Sequence, residues 1–435
     1  MNLTNKVLVG CLVLLLSMSQ LLAADDAPTQ IEQAAAATLK ISTELIHGFT
    51  MDRTATERMH GAGFLVDRER GWIVTNAHVS GYGHSRVRGQ FLDQSHYVPL
   101  ERLFVDSFHD VAILRIDPEN IPAEARVLEL ECDYRLNRGE PVFSIGHPNS
   151  QDFTAAKGIL SGRLNLHVDG NFYTTDLIVE GGNSGGPVVR LATGKVIAMA
   201  TSTFQDSGIG QLTRARDICR ILEPMRRGEN PARPRLGFQP LIVDGQFSQW
   251  VGNVIEVDSP LQFMDEIISW DGKPWDPRQD GDLADLMRGY SRADVELVVR
   301  RDGAPHTLTL PISPGISEHE REWVFFSGIT LTQSPFADAQ QIMPAGTEGV
   351  VIVQSLDRNY DDVMDVEFGA YAVIISMDGQ RVGDLRQAHT LLKSAAADNR
   401  QVHVVARAFD YNAEALYYYF QHSITVEDLA SRFNH

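Results

Sequence analysis

The chain has 435 residues, 43% of them apolar, and a formal net charge of −19. That length suits about two to four domains, each able to bury a core. The acidity excludes nucleic acid and anionic membrane surfaces as natural partners, because like charges repel.

In chain order, Lys6 is followed by an apolar run from Val7 to Leu22 and then by Ala23-Ala24-Asp25-Asp26. Residues 1–24 read as a secretory signal peptide cleaved near Ala24, which places the protein in the periplasm or outside the cell. Leu22 is large for the third position before a cleavage site. The run also approaches the length of a short membrane span, so an uncleaved inner-membrane anchor is the other reading. Leu8-Val9-Gly10-Cys11 has the form of a lipoprotein box, but its cysteine precedes most of the apolar run. Cys132 and Cys219 lie beyond this segment. They could pair in an oxidising compartment, but two cysteines make no disulfide framework, and two buried thiols are the preferred reading.

An alanine-rich helix is expected from Ile31 to Leu45. From Gly61 the pattern turns to short apolar runs separated by glycine and turn residues: Gly61–Val66, Trp72–Thr75, Val111–Ile116, Val142–Gly146 and Lys195–Ala200. Such spacing predicts an all-β barrel or sandwich. A helix over Arg214–Met225 closes this unit, and Arg226–Arg235, with two prolines and a glycine, reads as a linker.

The remainder contains a repeat. Ile267-Ile268-Ser269-Trp270-Asp271-Gly272-Lys273 recurs as Ile374-Ile375-Ser376-Met377-Asp378-Gly379-Gln380. Each copy is followed by a helix signal, Asp282–Met287 in the first and Asp384 capping Leu385, Ala388 and Leu392 in the second. Each then has an alternating strand, Val295, Leu297 and Val299 or Val402, Val404 and Ala406. Asp302-Gly303 turns the first of these strands into a hairpin. Two small α+β domains are therefore expected, at 234–315 and 323–410, with 411–435 set apart as a tail.

The chemistry gathers in three segments: Thr75-Asn76-Ala77-His78, His109-Asp110, and Gly181-Gly182-Asn183-Ser184-Gly185-Gly186-Pro187. A serine on a glycine-ringed turn has an exposed hydroxyl with backbone N–H groups beside it, as acyl transfer requires. Ser184 is read as the nucleophile, His78 as its base, and Asp110 as the group that fixes the His78 tautomer. The N–H groups of Gly182 and Ser184 would form the oxyanion hole, with Gly182 and Gly185 taking positive φ. His109 and His147 are read as structural or surface residues. The Gly-x-Ser-x-Gly pattern also fits an α/β-hydrolase elbow, but that fold needs a helix after the serine and the order Ser, Asp, His. Here Pro187 leads into a strand, and the order is His, Asp, Ser. This chemistry needs no cofactor, and no His/Cys/Asp cluster has metal-ligand spacing.

The Asn-Ala-His-Val, His-Asp-Val-Ala-Ile-Leu and Gly-Asn-Ser-Gly-Gly-Pro segments resemble the motifs of the HtrA/Deg family of trypsin-like serine proteases. The resemblance implies a mainly β chain: a trypsin-like double β-barrel protease domain, 35–228, followed by two α+β PDZ-like domains. It also implies an ATP-independent endopeptidase that acts on unfolded or damaged proteins in the envelope. A non-catalytic, chaperone-like peptide binder with a resting triad remains the alternative. Asn183 stands where zymogen-activated relatives carry aspartate, which argues against that switch. The primary pocket would have Ile178 as its floor and Ala200 and Thr201 in its wall, favouring small aliphatic residues unless Asp176 or Glu180 points inward. PDZ domains hold peptide C-termini. The matching loop is Leu236, Gly237 and Phe238 in the first copy and Ser327-Gly328-Ile329-Thr330 in the second. The first copy lacks the usual short helix between Pro260 and Asp265, which makes it degenerate. The family assembles as trimers or multiples of them through N-terminal aromatics, and residues 25–45 contain none.

Overall fold

The computed structural model describes residues 27–47, 58–148, 151–165, 171–203, 208–243, 246–254, 259–334, 349–355, 372–410 and 416–433. The segment read as a signal peptide lies outside them. Helix α1 (Ala27–Ala37) leads into strand β1 (Thr38–His47). The expected helix to Leu45 therefore stops early. Beyond Ala37, Leu39, Ile41 and Leu45 alternate along a strand and are buried, and β-branched Thr38, Ile41 and Thr43 favour extended backbone there.

Strands β1, β2 (Arg58–Asp67), β3 (Trp72–Thr75), β4 (His84–Phe91), β5 (Val98–Asp106) and β6 (Val111–Arg115) form one closed barrel, in the order β1-β2-β3-β6-β5-β4. A second closed barrel runs β10-β11-β12-β9-β8-β7. Its strands are β7 (Pro141–Gly146), β8 (Thr154–Asn165), β9 (Asn171–Thr175), β10 (Pro187–Arg190), β11 (Val196–Thr203) and β12 (Gly210–Arg214). Closure removes sheet edges and lets alternate residues fill each interior. Between β3 and β4 lies the short helix α2 (Ala77–Ser80), and α3 (Ala215–Arg226) follows β12.

Cys132 and Cys219 form a disulfide with a Cα–Cα separation of 5.9 Å. The bridge is the alternative the sequence left open, in place of the preferred reading of two buried thiols. The bridge ties the connection between the barrels to α3. Only the fold brings the two together, across a sequence separation of 87.

The repeat becomes two sheets. In the first, the order is β13-β14-β15-β17-β18, built from β13 (Phe238–Val243), β14 (Gln246–Val254), β15 (Glu266–Trp270), β17 (Asp294–Arg301) and β18 (Ala304–Pro311), with β16 (Lys273–Pro274) paired to β15. Helices α4 (Pro277–Asp280) and α5 (Leu283–Leu286) lie between β16 and β17. In the second, the order is β25-β24-β22-β21-β20-β19-β26. These are β19 (Trp323–Phe326), β20 (Ile329–Ser334), β21 (Gly349–Ser355), β22 (Ala372–Met377), β24 (Gln401–Asp410), β25 (Leu416–Thr425) and β26 (Ala430–Arg432), with β23 (Gln380–Arg381) on β22 and α6 (Leu385–Ala397) alongside.

The two copies share a local device. Asp271 N–H donates to Glu296 O and Asp378 N–H to His403 O, both at 2.8 Å. Each aspartate's Oδ1 accepts the return N–H, from Glu296 at 3.2 Å and from His403 at 2.8 Å. The segment set apart as a tail supplies β25 and β26, both members of the second sheet.

Strand β19 joins two cores. Trp323 and Phe325 pack with Leu39, Ile41 and Leu65 of the first barrel, while Val324 and Phe326 pack with Leu331, Val350 and Ile374 of the second sheet. Alternation along one strand produces this division.

Candidate active site

Strand β3 is buried throughout and delivers the chain to α2. Ala77, Val79 and Ser80 face the interior, which leaves His78 half exposed on the outer side. Asp110 ends the β5–β6 turn with φ of 54°, a left-handed conformation uncommon for a residue with a side chain. Its Oδ2 lies 2.6 Å from His78 Nδ1. Its Oδ1 accepts from His78 N–H at 2.9 Å and from the Tyr82 hydroxyl at 3.1 Å. Asn76 Nδ2 donates to the Asp110 carbonyl at 2.8 Å. A carboxylate at Nδ1 selects the tautomer with its proton there and leaves Nε2 as the acceptor.

The Ser184 turn is fastened to both barrels. Ala62 N–H of β2 donates to Ser184 O at 2.7 Å, and Gly185 N–H donates to Ala200 O at 2.8 Å. Gly182 and Gly185 have φ of 101° and 87°. A Cβ at Gly182 would meet the carbonyl oxygen of His147, and one at Gly185 that of Ala62. Among the described residues, no backbone carbonyl receives the N–H of Gly182 or Ser184. Asn183 N–H is turned to Glu180 O at 3.0 Å. The Ser184 hydroxyl donates to Thr201 O at 2.7 Å.

The structure thus brings His78 and Asp110 into contact and sets Ser184 on the turn between the barrels. It places the pocket residues differently from the expectation. Ala200 and Thr201 are buried, but Ile178 is 63% exposed. Asn183 Nδ2 holds the Ile178 carbonyl at 3.0 Å, and the Ile178 side chain faces solvent, so it does not form a closed floor. Asp176 Oδ1 is taken by Ile159 N–H at 2.7 Å, an anchor to β8. In the first repeat copy, Leu236 and Phe238 pack into the core with Val251 and Leu261, and Gly237 between them has φ of 68°. They lead into β13, an edge strand. In the second copy, Ser327 and Gly328 are the turn of the β19–β20 hairpin, and β20 is paired on both sides, to β19 and β21. The expected carboxylate loop there is a hairpin turn, and the chain's own β19 occupies the strand edge a peptide would need.

Two histidines stand near the site. His147 is buried beside the serine turn, where its N–H donates to Gly182 O at 3.1 Å and its Nδ1 accepts from Phe153 N–H at 3.1 Å. Burial pushes its imidazole down to about 4, so it is neutral near pH 7. His109, also buried, places Nε2 2.8 Å from Asp285 Oδ2 of the first repeat copy. Burial alone would raise the Asp285 carboxyl, but His109, Arg233 and Arg288 outweigh it and hold it well below the usual range. No local pattern in the sequence marks this pairing, because its members lie in different domains.

Residues 61–199 match the family described as trypsin-like peptidase domain. The chain is 30% identical over 224 residues to "Protease Do-like 1, chloroplastic" of Arabidopsis thaliana, covering 49% of each. It is 28% identical over 286 residues to "Probable periplasmic serine endoprotease DegP-like" of Pseudomonas savastanoi pv. phaseolicola, covering 60% of this chain and 57% of that protein. It therefore spans about half the length of these curated relatives. The solved structure titled "HtrA-type protease AlgW with decapeptide" superposes with a TM-score of 0.51 at 21% identity, over 66% of this chain and 98% of that one, a likeness of fold.

Proposed function

We propose that the chain is a serine endopeptidase of the HtrA/Deg type, acting in the periplasm without ATP on unfolded or damaged proteins; its match to the trypsin-like peptidase domain and its likeness to DegP-like and Do-like proteases support that reading. The observation that carries this reading is the His78–Asp110 pair, joined at 2.6 Å, on the barrel whose β2 also clasps the Ser184 turn. Ser184 Oγ attacks the scissile carbonyl as His78 Nε2 takes its proton. Asp110 stabilises the imidazolium that forms. The tetrahedral oxyanion is received by the N–H groups of Gly182 and Ser184. His78 then returns the proton to the leaving amine, and water hydrolyses the acyl-enzyme by the same steps. Both N–H groups are free of backbone acceptors among the described residues, as an oxyanion site needs.

A second reading, a peptide-binding protein with a resting triad, draws on the Ser184–Thr201 hydrogen bond. The catalytic reading is preferred because His78 and Asp110 are already joined at 2.6 Å and the N–H groups of Gly182 and Ser184 have no backbone acceptor among the described residues. A C-terminal peptide would add to the edge strand β13 of the first repeat copy, since β20 is closed by β19. Labelling with a serine-directed fluorophosphonate, mapped by mass spectrometry, tests the function. Modification of Ser184 is expected. Absence of labelling with and without C-terminal peptides would leave the second reading.

A further inference from the structure

Asp110 holds a left-handed backbone conformation on a turn, with φ of 54°. Such conformations persist where neighbouring structure over-determines them. On one side the neighbour is Asn76, donating to the Asp110 carbonyl. On the other side it is His109, and through His109 the first repeat copy.

His109 is 3% exposed. Its imidazole meets Asp285 of α5, 176 residues further along the chain, at 2.8 Å. Asp285 is itself buried, accepts a hydrogen bond from Arg288 Nη2 at 3.0 Å, and is ion-paired with Arg233, whose Nε lies 3.1 Å away without a hydrogen bond. Arg288 returns to the catalytic barrel, donating to Asp106 at the end of β5 at 2.6 Å. Arg233 stacks its guanidinium on Phe108 at 3.5 Å. The turn from Asp106 to Asp110 is therefore gripped at Asp106, Phe108 and His109 by groups from the linker and the first repeat copy. The His109 carbonyl points the other way, accepting from Thr213 Oγ1 at 3.2 Å. Thr213 Oγ1 is 2.8 Å from Thr201 Oγ1, and Thr201 O receives the Ser184 hydroxyl.

We propose that His109 is a positioning residue: its contact with Asp285 fixes the backbone of Asp110 and so makes the first repeat copy part of the catalytic framework. Loss of that contact frees the turn, lets Asp110 drift from His78 Nδ1, and slows the chemical step without touching substrate. The inference rests on the reading of Ser184 as the nucleophile.

The test is the rate constant of Ser184 acylation by a fluorophosphonate, expressed per labelled molecule of the full chain, with kcat and KM for a peptide substrate and thermal melting in parallel. His109→Ala and Asp285→Ala should each slow acylation and kcat by about tenfold to a hundredfold, with KM unchanged. The double variant should be no slower than the slower single one, because both act through one contact. Wild-type rates in His109→Ala, or losses that multiply in the double variant, would overturn the proposal. Loss that appears only as a smaller labelled fraction, at the wild-type rate, would overturn it too, since that marks stability alone. If the alanine variants do not fold, His109→Gln and Asp285→Asn retain the size of each side chain. Slower acylation at near-native melting temperature supports the proposal, and wild-type rates in both refute it. An unlabelled wild type would instead remove the nucleophile assignment, and the proposal with it.

Discussion

Ser184 donates its hydroxyl hydrogen to the carbonyl of Thr201 at 2.7 Å. A serine has one such hydrogen, so in this arrangement it is not offered to His78. The His78 imidazole, in contrast, is already oriented by Asp110. If Ser184 is the nucleophile, its hydroxyl must leave Thr201 O before it can react, and rotation about χ1 of a side chain is fast compared with acyl transfer.

The triad assignment predicts the sizes of three losses. Ser184→Ala and His78→Ala should each reduce kcat by roughly 10⁴-fold or more, and Asp110→Asn by about 10⁴-fold through the wrong His78 tautomer. Steady-state hydrolysis of a peptide substrate measures all three. Additive losses on combining them would contradict a shared mechanism.

Gly185→Ala should damage both stability and activity. The substitution forces a side chain onto φ of 87° and against Ala62 O. A cost of about 2 kcal/mol or more is expected, read as a lower urea midpoint. The Ser184 turn would also lose its hold on β2, so activity should fall further than the unfolded fraction explains.

Reduction of the Cys132–Cys219 bridge should destabilise the double-barrel unit by roughly 2–5 kcal/mol. Thermal melting with and without reductant, and of Cys132→Ser combined with Cys219→Ser, gives the value. Equal melting temperatures would mean the bridge is absent in solution.

Stability should fall in mild acid. Burial holds His147 down to about 4; burial, Arg102 and Arg432 hold His319 down to about 3. Unfolded, each titrates near its ordinary value of about 6.5. Between these limits the unfolded chain binds more protons than the folded one. The stabilisation is therefore complete above pH ~6.5 and is lost as pH falls toward 4, by an amount on the order of 3 kcal/mol for His147 alone. Urea midpoints across this range test it, and His147→Asn should flatten the slope.

The two repeat copies should differ in hydrogen exchange. Strand β20 is paired on both sides, so its amides should be protected without ligand. Among the described residues, strand β13 is an edge paired only with β14, and it should gain protection when a C-terminal peptide is added.

What the sequence made legible was local. Glycines flanking Ser184 report positive φ, Asp-Gly pairs report hairpins, and apolar runs of four to six residues report strands. These signals marked the segments read as catalytic, the run of short strands and the repeat. What it hid depends on contacts between distant residues. The pairing of Cys132 with Cys219, the strand partners of residues 416–432 and the meeting of His109 with Asp285 are fixed by packing, not by neighbours in the chain. Counting back from Ser184 gives Ile178 a position in the chain, while its exposure depends on the folded course of a loop whose Ile178 carbonyl accepts from Asn183. The early end of α1 has the same origin, since burial of Leu39 and Ile41 in the barrel overrides the alanine-rich start.

The central claim, hydrolysis of unfolded protein by Ser184, is tested most directly by casein digestion with the wild type and Ser184→Ala side by side. Fragmentation of casein by the wild type and none by the variant is the predicted result. Equal digestion by both would contradict it, because the nucleophile would then lie elsewhere.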